Sequence, residues 1–105
     1  MTLSDFKNLL LQLSGGVKVY HNLATKIADN YVVWYEVGRD TLRADNGAAE
    51  YAYIVGVDYY TKSEYSTTPD EIEELFAAGE VAYSDVTIIF EEDTGFTHFA
   101  WTCYV

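Results

Sequence analysis

The feature that most constrains the fold is an alternating run of residues at positions 49–62. Five large side chains fall on one face of an extended chain there: Tyr51, Tyr53, Val55, Val57 and Tyr59. A period of two over this length predicts a long β-strand, and it is the strongest β signal in the sequence. A fold for this chain must therefore contain a sheet.

Two segments have helical patterns instead. Residues 3–13 carry apolar side chains at the spacing i, i+3, i+4 and i+7, namely Phe6, Leu9, Leu10 and Leu13. This stripe predicts an amphipathic helix, capped by Thr2 or Ser4 and ended by Gly15 and Gly16.

The second helical segment begins with the residues Thr68, Pro69, Asp70 and Glu71. This order is typical of a capping box with proline at the first helical position. It predicts a helix from Pro69, with Ile72, Leu75 and Phe76 as its apolar stripe and Gly79 as its end. The remaining face, with Asp70, Glu73 and Glu74, is almost wholly acidic, because these side chains are expected to point away from the stripe.

The other β signals are shorter. Residues 17–21 and 31–37 predict two strands, with loops at 22–30 and 38–47. Residues 81–92 and 96–105 predict a terminal hairpin, because Gly95 supplies a turn between them. The order αβββαββ favours one domain of the α+β class spanning residues 1–105, with a mostly antiparallel sheet covered on one face by two helices.

Charge is distributed unevenly along the chain. Of the 17 acidic residues, 11 lie between Tyr53 and Val105, where Lys62 is the single base, so this half has a formal charge of 1 − 11 = −10. Such a surface repels polyanions at long range, which argues against specific nucleic-acid binding despite ten tyrosines. The tyrosines are better explained as interface and sheet residues, and they suggest a homo-oligomer.

No pattern of catalytic, cofactor-binding or metal-binding residues is recognised. His21 and His98 lack zinc-ligand spacing, and Cys103 lies in an alternating run that predicts a small core residue. The acidic turn of residues 91–93 lacks the ligand order of a calcium loop. The start of the chain does not resemble a signal peptide, and the apolar runs are far below the roughly 20 residues that a bilayer requires, so we expect a cytoplasmic protein without a membrane anchor.

A family resemblance follows from the order of these parts. The stretch YVVWYEVGRDTLRADNGAAEY at 31–51 leads into a strand ending Tyr59, Tyr60, Thr61 and Lys62, and then into the Pro-Asp-Glu helix. This sequence resembles small phage tail-terminator or tail-completion (head-tail joining) proteins of prophages in Gram-positive bacteria. The similarity covers nearly the whole chain and is most specific at residues 44–46 and 58–62.

The resemblance implies a non-enzymatic structural protein of the virion with an α+β fold. It would form a ring, most often hexameric, at the head-proximal end of the tail tube, after assembly in the host cytoplasm. Its partners would be other copies of itself, the tail-tube protein and the head-tail connector protein. Such a ring ends tail polymerisation and joins the head.

Two sets of residues acquire roles under this hypothesis. Carboxylates on the second helix and the hairpin turn would line a DNA-repelling channel: Asp70, Glu71, Glu73, Glu74, Glu91, Glu92 and Asp93. The loop at 38–47 would make subunit contacts through Arg39, Asp40, Arg43, Asp45 and Asn46, because its bases can pair with the acidic half of a neighbour.

Two other functions remain open from the sequence. A small acidic DNA mimic that inhibits a DNA-binding protein would carry its charge in a surface stripe and act as a monomer or dimer. A small hydrolase or metal enzyme would have to rely on the turn carboxylates and the two isolated histidines. Oligomeric size distinguishes the first of these from a ring.

Overall fold

The computed structural model describes residues 1–43 and 49–105, and the side chains of residues 1–39 and 52–105. Two helices and six strands follow one another in the order α1 (Leu3–Leu10), β1 (Lys18–His21), β2 (Asn30–Arg43), β3 (Ala49–Thr61), α2 (Thr68–Ala78), β4 (Ala82–Tyr83), β5 (Thr87–Glu91) and β6 (Phe96–Tyr104). The α+β class and the two helices are confirmed. The order differs from αβββαββ by one short strand, because the predicted strand at 81–92 is divided into β4 and β5.

The strands form one sheet in the order β1-β2-β3-β6-β4, and β5 also pairs with β6. The contact of β1 with β2 is parallel, and the four other pairings are antiparallel. The prediction of a mostly antiparallel sheet is therefore confirmed. β1 is one edge of the sheet, and β4 and β5 together form the other.

α1 begins with a complete capping box. The hydroxyl of Thr2 accepts a hydrogen bond from the backbone N–H of Asp5, whose carboxylate accepts one from the backbone N–H of Thr2, both at 3.0 Å. The backbone hydrogen bond from Thr2 lowers the pKa of Asp5. The helix ends at Leu10, earlier than predicted, but the following turn still places Leu13 in the core.

α2 starts differently from the prediction. Its N-cap is Thr67, which makes no side-chain capping hydrogen bond, so the predicted capping box is wrong. The carboxylate of Glu71 instead accepts two hydrogen bonds from Ser14, one from the backbone N–H at 3.0 Å and one from the hydroxyl at 2.9 Å. Glu71 therefore ties the start of α2 to the segment after α1, a long-range contact that local spacing could not reveal. Gly79 ends the helix as predicted.

The core forms around three aligned residues of the central strands. The register places Trp34, Val57 and Trp101 side by side on one face of the sheet, which we call the core face. Phe6 of α1 meets Trp34 edge-on with ring centres 5.7 Å apart, and Phe76 of α2 meets Trp101 at 6.0 Å. These aromatic contacts link both helices to the sheet.

β2 is longer than predicted. It continues through the predicted loop at 38–47 as far as Arg43, and its register with β3 shifts between Glu36 and Gly38. The glycine thus marks a bulge within a strand and not the strand's end. Beyond this bulge the backbones of β2 and β3 stay paired up to Arg43 and Ala49, as a two-stranded arm.

Candidate functional site

An aromatic cluster occupies the face of the sheet opposite the core face, which we call the outer face. Tyr31, Tyr60 and His98 are register partners on β2, β3 and β6. The ring of Tyr60 stacks on Tyr31 with centres 4.9 Å apart and on His98 at 4.3 Å. Phe96 meets both tyrosine rings edge-on. These residues follow one another across three strands, so the cluster is a product of strand register.

Two carboxylates flank the histidine of this cluster. His98 Nε2 lies 3.1 Å from Asp58 Oδ1, and His98 Nδ1 lies 3.9 Å from Glu91 Oε2. The shorter distance suits an ion pair, but its angle does not suit a hydrogen bond, so Nε2 is buried without a hydrogen-bond partner among the described residues. The Asp58 carboxylate also forms a hydrogen bond with the side chain of Tyr35. Sequence spacing did not predict this grouping, because its members lie on four different strands.

The pKa values of the tyrosines describe the environment of the cluster. Burial, followed by the charge of Asp58, raises the pKa of Tyr60 to about 12. Burial also raises the pKa of Tyr31 and of Tyr35, with smaller contributions from Glu91 and Asp58 respectively. These phenols therefore stay protonated near neutral pH, and Tyr35 is the donor in its hydrogen bond with Asp58.

A shallow pocket of about 300 Å³ lies between the end of α1 and the start of α2. Four of its polar side chains are paired with one another: Tyr59 with Ser66 at 2.8 Å, and Ser14 with Glu71 at 2.9 Å. Within the described residues, no group of three or more His, Cys, Asp or Glu side chains is arranged to hold a metal ion. The arrangement is that of a polar junction between helices.

The acidic residues predicted on α2 separate into two kinds. Asp70 and Glu74 are exposed. Glu71 and Glu73 are half-buried and accept hydrogen bonds, Glu71 from Ser14 and Glu73 from the indole N–H of Trp101 at 2.9 Å. Glu73 does not point away from the core, contrary to the helical-face prediction, because the indole of Trp101 reaches it.

The three acidic residues of the turn between β5 and β6 also differ in exposure. Glu92 and Asp93 are exposed, whereas Glu91 is half-buried beside His98 and also accepts a hydrogen bond from the Thr94 hydroxyl at 3.1 Å. Gly95 has the positive φ of +76° that was predicted for this turn. The structure does not bring the turn and the exposed acids of α2 into one hydrogen-bonded cluster among the described residues.

Of the five residues predicted to make subunit contacts, Arg39, Asp40 and Arg43 lie on β2 in the arm, and not on a loop. Arg39 is exposed at the base of the arm, with its guanidinium 5.5 Å from the centre of the Tyr53 ring. Asp40 and Arg43 belong to the β2 backbone, paired with Ala52 and Ala49. Asp45 and Asn46 lie outside the described residues.

The isolated histidine and cysteine have structural environments. His21 stacks on Trp34 at 4.0 Å, and its Nε2 lies 2.7 Å from a carboxylate oxygen of Glu36. Cys103 is fully buried, as predicted, and burial raises the pKa of its thiol to about 12. A thiol in that state is a poor nucleophile.

The exposure of β5 is another feature that the sequence did not predict. Ile88, Ile89 and Phe90 are consecutive, and each is more than half exposed, although successive side chains of a strand point to opposite faces. β5 pairs with β6 on one side, and no described strand pairs with its other side. The signal in the sequence was the lack of alternation in this run, which indicates apolar side chains on both faces.

No protein-family model matches the chain, and no curated protein matches it either. No helix in the described ranges 1–43 and 49–105 has the length and apolar character needed to cross a membrane.

Proposed function

We propose that this chain is a non-enzymatic phage virion protein, a tail terminator or tail-completion factor. Copies of it form a ring, hexameric in the family that the sequence resembles, at the head-proximal end of the tail tube. The ring ends tail polymerisation and joins the head-tail connector, after assembly in the cytoplasm of the bacterial host. The quoted motifs at 31–51 and 58–62 support the proposal, together with the α+β architecture.

The single observation that carries an assembly role is the free apolar edge at β5. Soluble monomers protect such edges with charges, prolines or bulges, because an unpaired strand with apolar side chains invites pairing with another chain. Here Ile88, Ile89 and Phe90 are all more than half exposed. An exposed apolar strand of this kind is typical of a subunit whose edge is covered in an assembly.

The subunit that we propose has both helices on the core face of the sheet, with the two edges free for neighbours. The additional strand β4 extends the edge that β5 forms. The helices and strands of this subunit follow one another in the order αβββαβββ.

In this proposal, exposed acidic residues line the channel through which DNA passes. A ring at the end of a tail tube has to let DNA pass, and exposed carboxylates along its channel repel phosphates. Asp70, Glu74, Glu92 and Asp93 are exposed and have no hydrogen-bond partner among the described side chains, so we assign the channel wall to these four. Glu71, Glu73 and Glu91 accept hydrogen bonds within the subunit, so we do not assign them to the channel wall.

Deletion of the gene from its phage tests the function directly. Without a terminator the tail tube continues to polymerise, so we expect headless tails of uncontrolled length in electron micrographs after induction. The wild-type gene supplied in trans should restore tails of uniform length that carry heads. Tails of normal length joined to heads in the deletion strain would contradict the proposal.

The DNA-mimic alternative makes a different prediction for the same strain. Loss of an inhibitor would leave the tails unchanged and would alter the activity of a DNA-binding protein. A purified chain that stays monomeric and forms a stoichiometric complex with such a protein would favour that alternative.

A further inference from the structure

We infer that the two opposite edges of the sheet join head to tail, so that β5 of one copy pairs with β1 of the next copy. This inference rests on the proposed ring and specifies which surfaces form it. It also requires that a contact between two β5 strands does not form.

The first half of the contact is the β5 edge. The side chains of Ile88, Ile89 and Phe90 are 58%, 55% and 61% exposed, on both faces of the strand. Carboxylates lie at both ends of this apolar run, with Asp85 before it and Glu92 and Asp93 after it, all exposed. The β5 edge is thus apolar at its centre and negative at its ends.

The second half is the β1 edge, which has the complementary character. The segment after β1 exposes two apolar side chains, Leu23 at 72% and Ile27 at 60%. Tyr20 points to the outer face like its register partner Val33, and its hydroxyl donates a hydrogen bond to the backbone carbonyl of Lys26 at 3.1 Å, so this segment lies beside β1 on the outer face.

The charges of the β1 edge oppose those of β5. Lys18 and Lys26 are exposed, neither forms an ion pair with a side chain in the described part of the chain, and they outnumber the one exposed carboxylate of the segment, Asp29. The two edges therefore match in apolar surface and oppose each other in charge. Such complementarity fixes the orientation of partners and suppresses wrong pairings.

Strand direction supports the same arrangement. β1 runs parallel to β2, and the antiparallel pairings from β2 to β3, β3 to β6 and β6 to β5 then make β5 run opposite to β1. A rotation about an axis along the strands leaves their direction unchanged. β5 of one copy would therefore meet β1 of the next as an antiparallel pair, and the two strands are similar in length, five and four residues.

Charge argues against the symmetric alternative. An antiparallel pair of two β5 strands centred on Ile89 would place Asp85 opposite Asp93 of the other copy. It would also bring Glu91 of each strand opposite Thr87, with Glu92 nearby. Like charges directly across a strand pair are destabilising, and here they would recur at both ends. The heterologous contact avoids this repulsion and, on closing, gives a ring.

The test uses one variant for each edge in the full-length chain. Ile89→Lys places a positive charge opposite the basic β1 edge, and Ile27→Glu places a negative charge opposite the acidic β5 edge. Both positions are exposed, so circular dichroism should show an unchanged fold. Leu11→Lys and Leu11→Glu are matched controls, because Leu11 is 53% exposed at the end of α1 and lies on neither edge.

Sedimentation velocity over a concentration series measures the association. Wild type and the Leu11 controls should self-associate, and each edge variant should do so at least about tenfold more weakly. An equimolar mixture of the two edge variants should associate more strongly than either variant alone, because each chain keeps one unaltered edge for the other. A wild-type chain that stays monomeric up to its solubility limit would overturn the inference, as would Ile27→Glu dimerising alone.

Complementation of the deletion phage separates this inference from the proposed function. If the gene deletion gives overlong tails that Ile89→Lys repairs as well as wild type does, the terminator function stands and the edge contact is wrong. If wild type assembles through its edges but the deletion leaves tails normal, the contact stands and the terminator function is wrong.

Discussion

Trp101 of β6 donates its indole N–H to the carboxylate of Glu73 on α2, with the nitrogen and oxygen 2.9 Å apart. The bond joins the core face of the sheet to the helix above it, and both residues are shielded from solvent to a large extent. Helical periodicity assigns Glu73 to the solvent-facing side, but its carboxylate accepts a hydrogen bond that holds the helix on the sheet. The number of carboxylates available for a channel decreases accordingly.

Replacing Glu73 with alanine should lower the free energy of unfolding by about 1–3 kcal/mol, because the indole N–H loses its acceptor. Glu73→Gln should cost less, since the amide oxygen can still accept the hydrogen bond. Glu74→Ala, one position along at an exposed site, should change stability by about 0.5 kcal/mol or less. Urea unfolding followed by tryptophan fluorescence measures all three, and equal losses for Glu73→Ala and Glu74→Ala would contradict the assignment.

The Glu73 case shows what the sequence could predict and what it could not. Alternation predicted β3, and apolar spacing predicted both helices, because these signals depend on neighbours along the chain. The extension of β2 was missed, since a glycine at a bulge has the same local appearance as a glycine at a strand end. The outer-face cluster was missed because its members are brought together by register across four strands.

Replacing Gly56 with alanine should displace Tyr35 from Asp58. A Cβ at position 56 would lie 2.6 Å from the Tyr35 hydroxyl, so the ring must move and its hydrogen bond with Asp58 is lost. We expect a loss of about 1 kcal/mol. Gly38→Ala is the matched control, because nothing lies within 4 Å of a Cβ there.

A double-mutant cycle identifies the cause of that loss. In a Tyr35→Ala background the clash is absent, so Gly56→Ala should be neutral or slightly stabilising. An undiminished loss in that background would show that the cost does not come from Tyr35. Urea unfolding of the four proteins provides the comparison.

Alkaline pH should destabilise the fold partly through Tyr60. Its pKa rises from 10.0 to about 12 on folding, so the folded state retains the proton at pH values where the unfolded state has lost it. This contribution is fully present below pH 10 and is lost as the pH rises towards 12. Tyr60→Phe keeps the stacked ring but removes the ionisation, and its stability should fall less between about pH 8 and about pH 11.

The exposed Tyr65→Phe is the control for this comparison and should behave as wild type. Tyr31, Tyr35 and Cys103 also have raised pKa values, so Tyr60→Phe should retain part of the alkaline loss. Parallel decreases in the urea midpoint of wild type and Tyr60→Phe would contradict the assignment.

Reversing the charge of the exposed acids should impair DNA passage and leave folding intact. Lysine at Asp70 and Glu74, which lie on α2 and not at the β5 edge, would attract phosphates where the proposed channel repels them. We expect virions with full-length tails and heads but much lower infectivity and delayed DNA ejection. Asparagine at position 70 and glutamine at position 74 control for size, and unchanged ejection with the lysine variant would exclude these two residues from the channel.

The buried thiol of Cys103 has a practical consequence. It is the sole cysteine of the chain, and both its burial and its raised pKa protect it from alkylating reagents. We therefore expect the wild-type protein not to react with thiol-specific labels. A cysteine introduced at an exposed position on neither edge, such as Leu11, would carry a fluorophore alone, and energy transfer between separately labelled copies would report their association.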